Sequence, residues 1–241
     1  MENTFIPIRL LKEKASVYGL ELDETALKRF DIYAKLLVEW NEKINLTAIT
    51  DPEGIVIKHF VDSLTIFSAA DIGEGAKIID VGTGAGFPGI PMLIARPDLD
   101  ITLMDSTNKR LNVIRDILEK IELSANVVHS RAEEAGKSAE FREKFDFATA
   151  RAVSNLRDLS EYCLPFVKIG GAFVSMKGAK AEEEIQEATK AIRTLGGKIK
   201  DKKTFELFDC GERSIIYIEK ISSTPAKFPR PSAKIAKNPL R

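Results

Sequence analysis

Apolar side chains recur at spacings of three and four residues in the first part of this chain. The clearest stripe consists of Leu27, Phe30, Tyr33, Leu37 and Trp40. This spacing predicts an amphipathic helix, with Asp23 as its N-cap. A second apolar stripe predicts another helix over about 52–70. We therefore expect residues 1–74 to form a helical segment that packs on the rest of the protein.

Short apolar runs alternate with helical periodicity through residues 75–220. The runs that predict strands are 76–81, 100–105, 126–129, 145–150, 172–177 and 214–220, with a further one at 198–208. Between them, the segments 109–121 and 179–195 have the period of helices. Strands that alternate with helices of ten or more residues indicate right-handed crossovers. The predicted fold is therefore α/β, with a Rossmann-like, mainly parallel, doubly wound sheet.

The last part of the chain, 221–241, is rich in proline and lysine and poor in large apolar residues, which predicts an extended arm. It contains no acidic residue, and its cations are Lys227, Arg230, Lys234, Lys237 and Arg241. Clustered cations without acidic neighbours are typical of a contact with RNA phosphates. A solvated, disordered tail is the alternative that composition leaves open.

The overall composition indicates which partners, cofactors and locations to expect. Lys plus Arg equals Asp plus Glu at 36 each, so net charge alone predicts no nucleic-acid partner. Cys163 and Cys210 lie far apart, and so do His59 and His129, so neither disulfides nor a metal site are expected. No apolar run reaches membrane-spanning length, and charges come too early for a secretory signal. We expect a cytoplasmic, metal-free protein.

A glycine-rich turn follows the first predicted strand. Gly82, Gly84 and Gly86 alternate, so bare backbone can approach a ligand closely. A dinucleotide fingerprint would need glycine at position 87, where this chain has Phe87. Asp80, just before the turn, would repel a pyrophosphate but attract a sulfonium. The pattern favours the nucleoside-binding turn of an S-adenosylmethionine (SAM) enzyme, and an ordinary strand-to-helix turn is the alternative.

Further polar residues follow the other predicted strands, where a doubly wound sheet binds its ligands. Asp105 lies 23 residues after Gly82, close to the spacing at which a carboxylate receives ribose hydroxyls, or it is simply an acid at a helix start. Ala132 and Glu133 would flank an adenine, unless they form a solvated loop. Arg151 would hold the substrate's phosphate or base edge, or pair with Glu133 or Asp105.

Asn41 and Asn45 follow the first predicted helix within apolar surroundings. Their amides could read base edges, although asparagine near a helix end is also a common turn residue. His59 is expected to be an interfacial residue with satisfied hydrogen bonds instead of a catalytic one, and Cys163 to be inert packing instead of a nucleophile. The chain has no Asn/Asp-Pro-Pro-Tyr/Phe sequence to hold an exocyclic amine, which disfavours adenine N6 and cytosine N4 as acceptors.

Several of these segments together resemble the bacterial 16S ribosomal RNA guanine-N7 methyltransferases, the family called RsmG and formerly glucose-inhibited division protein B. The segments that carry the resemblance are 40–49, 59–64, 80–89, 105–110, 151–153, 170–171 and 177–178. The likeness runs from about Leu27 to the C-terminus. The tail departs from the family at Ala233 and Ile235, where relatives tend to have glycine and proline.

The resemblance implies a class I SAM-dependent methyltransferase with SAM as its cofactor. The residues that it implies for the donor site are Gly82, Phe87, Ala132, Glu133 and Arg151, with Asp105 near the ribose and Asp80, Gly84 and Gly86 in the turn. It implies a guanine in the decoding region of 16S ribosomal RNA as acceptor, either in RNA or in the small-subunit particle. The candidate RNA contacts are Asn41, Asn45, Arg151, Lys177, Lys227, Arg230, Lys234 and Lys237.

Guanine N7 has a lone pair and no proton, so its direct in-line attack on the methyl group needs no general base. Positioning should then supply most of the catalysis, and we name no catalytic side chain. We expect a monomer. A methyltransferase for a small-molecule acceptor would share this fold and donor site, and a non-catalytic ribosome-assembly protein would keep only the RNA contacts.

Overall fold

The computed structural model describes residues 4–151 and 154–240. The described strands are β1 (Lys77–Val81), β2 (Asp100–Asp105), β3 (Asn126–His129), β4 (Phe145–Arg151), β5 (Val167–Lys177), β6 (Gly197–Glu206) and β7 (Glu212–Lys220). They form one sheet in the order β3-β2-β1-β4-β5-β7-β6. Strands β1 to β5 are parallel, and β7 is antiparallel to both β5 and β6. This confirms the predicted doubly wound, mainly parallel sheet.

Helices cover both faces of the sheet. The N-terminal helices are Ile8–Ser16, Glu24–Asn41 and a continuous helical stretch over 52–68, in which Ile55–Val61 is a π-helix. The later helices are Gly89–Ala95, Asn108–Lys120, Ala132–Ala135, Leu156–Cys163, Ala181–Thr194 and Ser232–Lys237, with a 3-10 turn at Leu164–Phe166. The chain adds β2 and β3 on one side of β1 and β4 and β5 on the other, so the strand order reverses at β1. In such a sheet, the carboxyl ends of the strands on either side of this point flank a crevice.

The strand β1 separates two apolar cores. Ile78 packs in the core on one face and Ile79 in the core on the other, because successive side chains of a strand point to opposite faces. The N-terminal helices close the first core, and the helices Leu156–Cys163 and Ala181–Thr194 close the second.

The helix Glu24–Asn41 braces the glycine turn. The side chain of Asp23 accepts a hydrogen bond from the backbone of Ala26 at 2.7 Å and caps the helix as predicted. Its apolar stripe buries Phe30 and Tyr33 completely. The hydroxyl of Tyr33 donates to the carbonyl of Ala85 at 2.7 Å, so the N-terminal segment holds the turn in place.

The expectation of an extended arm is wrong for the described part of the tail. Residues 222–240, which we call the C-terminal strap, pack on the second core and include the helix Ser232–Lys237. Phe228 and Ile235 are 3% and 1% exposed. Two isolated apolar side chains anchor the strap although its composition is that of a solvated segment.

Within the described residues, no helix is both long and apolar enough to cross a membrane.

Candidate active site

Asp80 fixes the conformation of the glycine turn. Its Oδ2 accepts hydrogen bonds from Thr83 Oγ1 at 2.7 Å and from the backbone N–H of Gly89 at 3.0 Å. The side chain is fully buried, and its Oδ1 has no hydrogen-bond partner in the protein. Burial raises the pKa of Asp80 to about 6. A carboxylate with an unpaired buried oxygen favours a cationic ligand nearby.

The glycines of the turn have different roles. Gly84 has a φ of +59°, and a Cβ added there would meet nothing closer than a backbone oxygen at 4.0 Å, so the space beside it is open to a ligand. At Gly86 a Cβ would lie 2.5 Å from the side chain of Ile90 and 2.9 Å from the hydroxyl of Tyr33. Packing alone therefore requires glycine at this position, and a contact of Gly86 with the donor stays a prediction.

A first cavity, of about 280 Å³, lies beside this turn at the carboxyl ends of β1, β2 and β3, and we call it the glycine-turn cavity. It brings together four residues that the sequence suggested, namely Gly82, Asp105, Ala132 and Glu133. Asp105 is held rigidly, because its Oδ2 accepts from the N–H of Gly84 at 3.0 Å and its Oδ1 from that of Thr107 at 2.8 Å.

Two further lining residues are not indicated by any sequence pattern. Tyr162, from the helix Leu156–Cys163, and Ser232, from the C-terminal strap, both line it. The backbone N–H of Ser232 donates to Glu133 Oε1 at 3.3 Å, across 99 positions of sequence. No local pattern could have indicated this contact.

A second cavity, of about 580 Å³, lies between the 52–68 helical stretch and the ends of β4, β5 and β7, and we call it the basic cavity. Its cations are Lys58, Arg151, Lys177 and Arg213, and they outnumber its carboxylates, Asp62 and Glu184. Lys58 and His59 come from the π-helix Ile55–Val61, a conformation often found at functional sites. Ser154 lines both cavities, so they adjoin at this residue, beyond the carboxyl end of β4.

Arg151 is the central cation of the basic cavity and is not among the residues that line the glycine-turn cavity, so its expected contact with the donor stays a prediction. It does not pair with Glu133 or Asp105, the partners that the sequence suggested, because its guanidinium lies 2.8 Å from Asp62. Asp62 also accepts from Arg213 Nε at 3.1 Å, so one carboxylate joins the helical stretch, β4 and β7. These contacts span 89 and 151 positions of sequence.

Phe87 packs among aromatic rings, and its expected contact with the donor stays a prediction. Its ring stacks on that of His59 with centroids 4.6 Å apart and on that of Tyr33 at 5.4 Å. The guanidinium of Arg151 lies 4.8 Å from the ring centroid, a cation–π geometry. Phe87 therefore packs behind His59 and Arg151, two lining residues of the basic cavity, and is not among the residues that line the glycine-turn cavity.

His59 has both ring nitrogens engaged. Nδ1 faces the guanidinium of Arg151 at 3.4 Å and must act as the acceptor there, which leaves Nε2–H to donate to Thr47 Oγ1 at 2.7 Å. Burial, followed by the charge of Arg151, lowers the pKa of His59 to about 4. The imidazole is therefore neutral near pH 7, as expected of a buried interfacial histidine.

Lys177 lies at the wall of the basic cavity. Its ammonium pairs with Glu184 at 2.8 Å and donates to the carbonyl of Ser154, so it holds the residue that both cavities share. A contact of Lys177 with RNA stays a prediction.

The remaining candidate RNA contacts differ in whether their side chains are exposed or already bound to other residues of the protein. Asn41 Oδ1 accepts from the backbone N–H groups of Leu46 and Thr47 at 2.8 and 2.9 Å, which is the turn role instead of a base-reading role. Asn45 is exposed. Arg230 differs from the expected phosphate contact, because its guanidinium is bound to Glu161. Lys227, Lys234 and Lys237 are exposed, and Arg241 lies outside the described residues.

The glycine-turn cavity fits the methyl donor that the resemblance implies. It offers a fixed carboxylate at Asp105 for hydroxyl groups, and the adjoining glycine turn has open space at Gly84 and a buried carboxylate at Asp80 with an unpaired oxygen. Among the described residues, no group of three or more His, Cys, Asp or Glu side chains could hold a metal ion.

The shifted pKa values predict opposite pH dependences of stability. Asp80 keeps its proton up to about pH 6 when folded, against 3.8 ordinarily, so its contribution to the free energy of unfolding falls as pH rises from about 4 to 6. For His59, with a folded pKa of about 4 against 6.5, the contribution rises over about the same range. Each change is about 3 kcal/mol.

Urea unfolding at several pH values between 4 and 7 checks this prediction. The stability of Asp80→Asn relative to the wild type should increase with pH, and that of His59→Gln should decrease. Parallel curves for the three proteins would contradict the burial argument.

Comparisons with known proteins agree on one family. The family model for rRNA small subunit methyltransferase G, also called GidB, matches residues 26–223. A protein of Clostridium perfringens (strain SM101 / Type A) named Ribosomal RNA small subunit methyltransferase G is 44% identical over 234 residues, 96% of this chain and 98% of that protein. One of the same name from Clostridium novyi (strain NT) is 47% identical over 233 residues, 96% of both chains.

Solved structures support the fold. TrmN from Thermus thermophilus is similar with a TM-score of 0.52 and 16% identity, over 69% of this chain and 53% of that one. The fibrillarin pre-rRNA processing protein of Methanococcus jannaschii is similar with a TM-score of 0.52 and 17% identity, over 64% of this chain and 70% of that one. At such low identity these similarities concern the fold alone.

Proposed function

The chain belongs to the rRNA small subunit methyltransferase G family and is a methyltransferase, and from this premise we propose that it methylates N7 of a guanine in 16S ribosomal RNA with S-adenosylmethionine as donor. The donor occupies the glycine-turn cavity and the acceptor base the basic cavity. The observation that carries this proposal is that Ser154, beyond the carboxyl end of β4, lines both cavities, so that they adjoin there. We further propose that the protein acts in the cytoplasm as a monomer.

The charges of the basic cavity support an RNA acceptor. Lys58 is exposed at its rim, and Arg151, Lys177 and Arg213 line its wall. An excess of cations in a concave site attracts the polyanionic backbone and raises its local concentration. A small neutral acceptor would gain nothing from this excess.

The side chains of the site bind and orient instead of transferring protons. S-adenosylmethionine, when bound, supplies an electrophilic methyl group. Asp105 and Glu133 would hold the donor, and the buried carboxylate of Asp80 provides negative potential for its positive charge. Guanine N7 has no proton to lose, which suits a site where the nearby imidazole of His59 is neutral and has both nitrogens engaged.

The exposed lysines of the C-terminal strap are proposed phosphate contacts. If Lys227, Lys234 and Lys237 each meet a phosphate of single-stranded RNA, replacing all three with glutamine should reduce the slope of log affinity against log salt by about 2, at about 0.7 per contact. Filter binding to 16S RNA at several salt concentrations measures this slope.

A matched control replaces three exposed lysines elsewhere with glutamine. Lys77 begins β1 and Lys120 ends the helix Asn108–Lys120, so both lie toward the amino ends of the parallel strands, away from the two cavities. Lys28 lies on the helix Glu24–Asn41. This triple variant should leave the slope unchanged. Equal slopes for both triple variants would remove the strap from the RNA interface.

Tritiated SAM tests the proposed function. The protein is incubated with 16S RNA, or with small-subunit particles, from cells that lack it, and the RNA is digested and its nucleosides are separated. We expect label in 7-methylguanosine. Label in another nucleoside would overturn the assignment to N7, and turnover that needs no RNA would favour a small-molecule acceptor.

A further inference from the structure

The C-terminal strap is attached to the catalytic domain by buried ionic contacts. The carboxylate of Glu161, only 1% exposed, accepts from Arg230 Nε at 2.8 Å and from its terminal nitrogen at 2.6 Å. The backbone N–H of Arg230 donates to the same carboxylate at 2.8 Å. A bidentate guanidinium–carboxylate pair of this kind fixes geometry as well as charge.

A second anchor holds the beginning of the strap. The guanidinium of Arg142 donates to the carbonyls of Thr224 at 2.6 Å and Phe228 at 2.9 Å. Thr224 in turn donates its N–H to Glu143 at 2.8 Å. With the ring of Phe228 buried, the strap is tied along its length before it reaches Ser232.

From these anchors the strap reaches the glycine-turn cavity. Glu161 precedes Tyr162, which lines the cavity, and Arg230 lies two residues before Ser232, which lines it from the strap. There the N–H of Ser232 donates to the carboxylate of Glu133 at 3.3 Å. The strap is thus one wall of the cavity, and Glu133 is oriented by a residue from outside the sheet.

We propose that the C-terminal strap is part of the donor-binding site, in which Ser232 is a positioning residue that orients Glu133 toward the nucleoside part of the donor. This rests on the proposed function of the cavity as the donor site. The strap then has two faces: the exposed lysines meet RNA, and the backbone at Ser232 serves the donor.

A single backbone N–H can be removed to test this. Ser232 follows Pro231 and takes the first position of the helix Ser232–Lys237, where proline is tolerated. Ser232→Pro deletes the donor to Glu133, whereas the matched control Ser232→Ala keeps it. A hydrogen bond to a charged group predicts that Ser232→Pro binds S-adenosylhomocysteine about tenfold more weakly than Ser232→Ala does. Titration calorimetry measures both affinities.

A double-mutant cycle separates positioning from a general structural effect. In a Glu133→Gln background the Ser232→Pro substitution should cost much less affinity, because the carboxylate that it serves is gone. An undiminished cost in that background, or equal affinities of Ser232→Pro and Ser232→Ala with Glu133 intact, would overturn the proposal.

Hydrogen exchange on the unmodified protein gives a second measurement that needs no variant. S-adenosylhomocysteine should slow exchange of the amides at 230–235, and unchanged exchange there in the presence of bound ligand would also overturn the proposal. If the unmodified protein does not bind S-adenosylhomocysteine at all, the proposed function itself fails, and the two failures are therefore distinguishable.

Discussion

The Asp62→Ala variant is expected to methylate ribosomal RNA about 100-fold more slowly than the wild type while its affinity for the donor is unchanged. Asp62 is 6% exposed and holds Arg151 at 2.8 Å and Arg213 at 3.1 Å. Without it, two guanidiniums lose their shared counter-charge and the wall of the basic cavity loses its geometry. A displacement of about 1 Å at a reacting centre is sufficient for a 100-fold loss.

The stability of this variant should also fall, by about 2 kcal/mol, because removing one partner of a buried ion pair leaves uncompensated charge, here discounted for the partial exposure of Arg213. The matched control is Asp98→Ala, which removes an exposed carboxylate that pairs with Arg96. It should change stability by less than about 1 kcal/mol and turnover not at all.

Single-turnover kinetics on RNA, calorimetry with S-adenosylhomocysteine and urea unfolding provide the three readouts. Asp62→Asn, which keeps the shape but not the charge, should fall between the wild type and Asp62→Ala. Full activity of Asp62→Ala with an intact fold would exclude the Asp62–Arg151–Arg213 cluster from the acceptor site.

The second large effect is expected from Gly84→Ala, which should weaken donor binding at least tenfold. At Gly84 the added methyl group would project into the open space beside the glycine turn, where we place the donor. The left-handed conformation, with φ of +59°, would also cost about 1–2 kcal/mol of stability in any non-glycine residue. Only the steric term concerns the donor, so the two effects must be separated.

Gly75→Ala separates them. Gly75 has a similar φ of +66°, and an added Cβ there would have no atom within 4 Å. It precedes β1, at the amino end of that strand and away from the glycine turn. Both variants should lose similar stability in urea, and only Gly84→Ala should lose affinity for S-adenosylhomocysteine in calorimetry. Equal affinities would show that the space beside Gly84 does not receive the donor.

Much of the fold is predictable because its information is local. The strands β2 and β3 lie at their predicted positions, 100–105 and 126–129, since short apolar runs bounded by polar residues leave little choice of register. The glycine turn is equally local, and so is the gathering of Asp105 and Glu133 at one edge, which follows from a parallel sheet.

The basic cavity could not be predicted in this way. Asp62, Arg151 and Arg213 lie on separate elements and meet only through the packing of the 52–68 helical stretch on the sheet. In sequence, each charge has several possible partners, and electrostatics alone does not choose between them. The role of Phe87 is open in the sequence for a related reason, because a neighbour of the glycine turn can face either the ligand or the core.

The strap shows how composition can mislead. Proline and lysine predominate in it, while the side chains that decide its position are Phe228 and Ile235, too far apart to form a pattern. Arg230 looked like one of several phosphate contacts because its partner, Glu161, is 69 positions away. Its burial against Glu161 sets it apart from the exposed lysines beside it.

The most direct measurement is the structure of the protein bound to S-adenosylhomocysteine and to an RNA fragment that contains the target guanine. We expect the adenosine beside Gly84 and Glu133, the guanine in the basic cavity, and the two ligands facing each other at Ser154. A nucleoside of the donor in the basic cavity, or a guanine bound away from both cavities, would contradict this expectation.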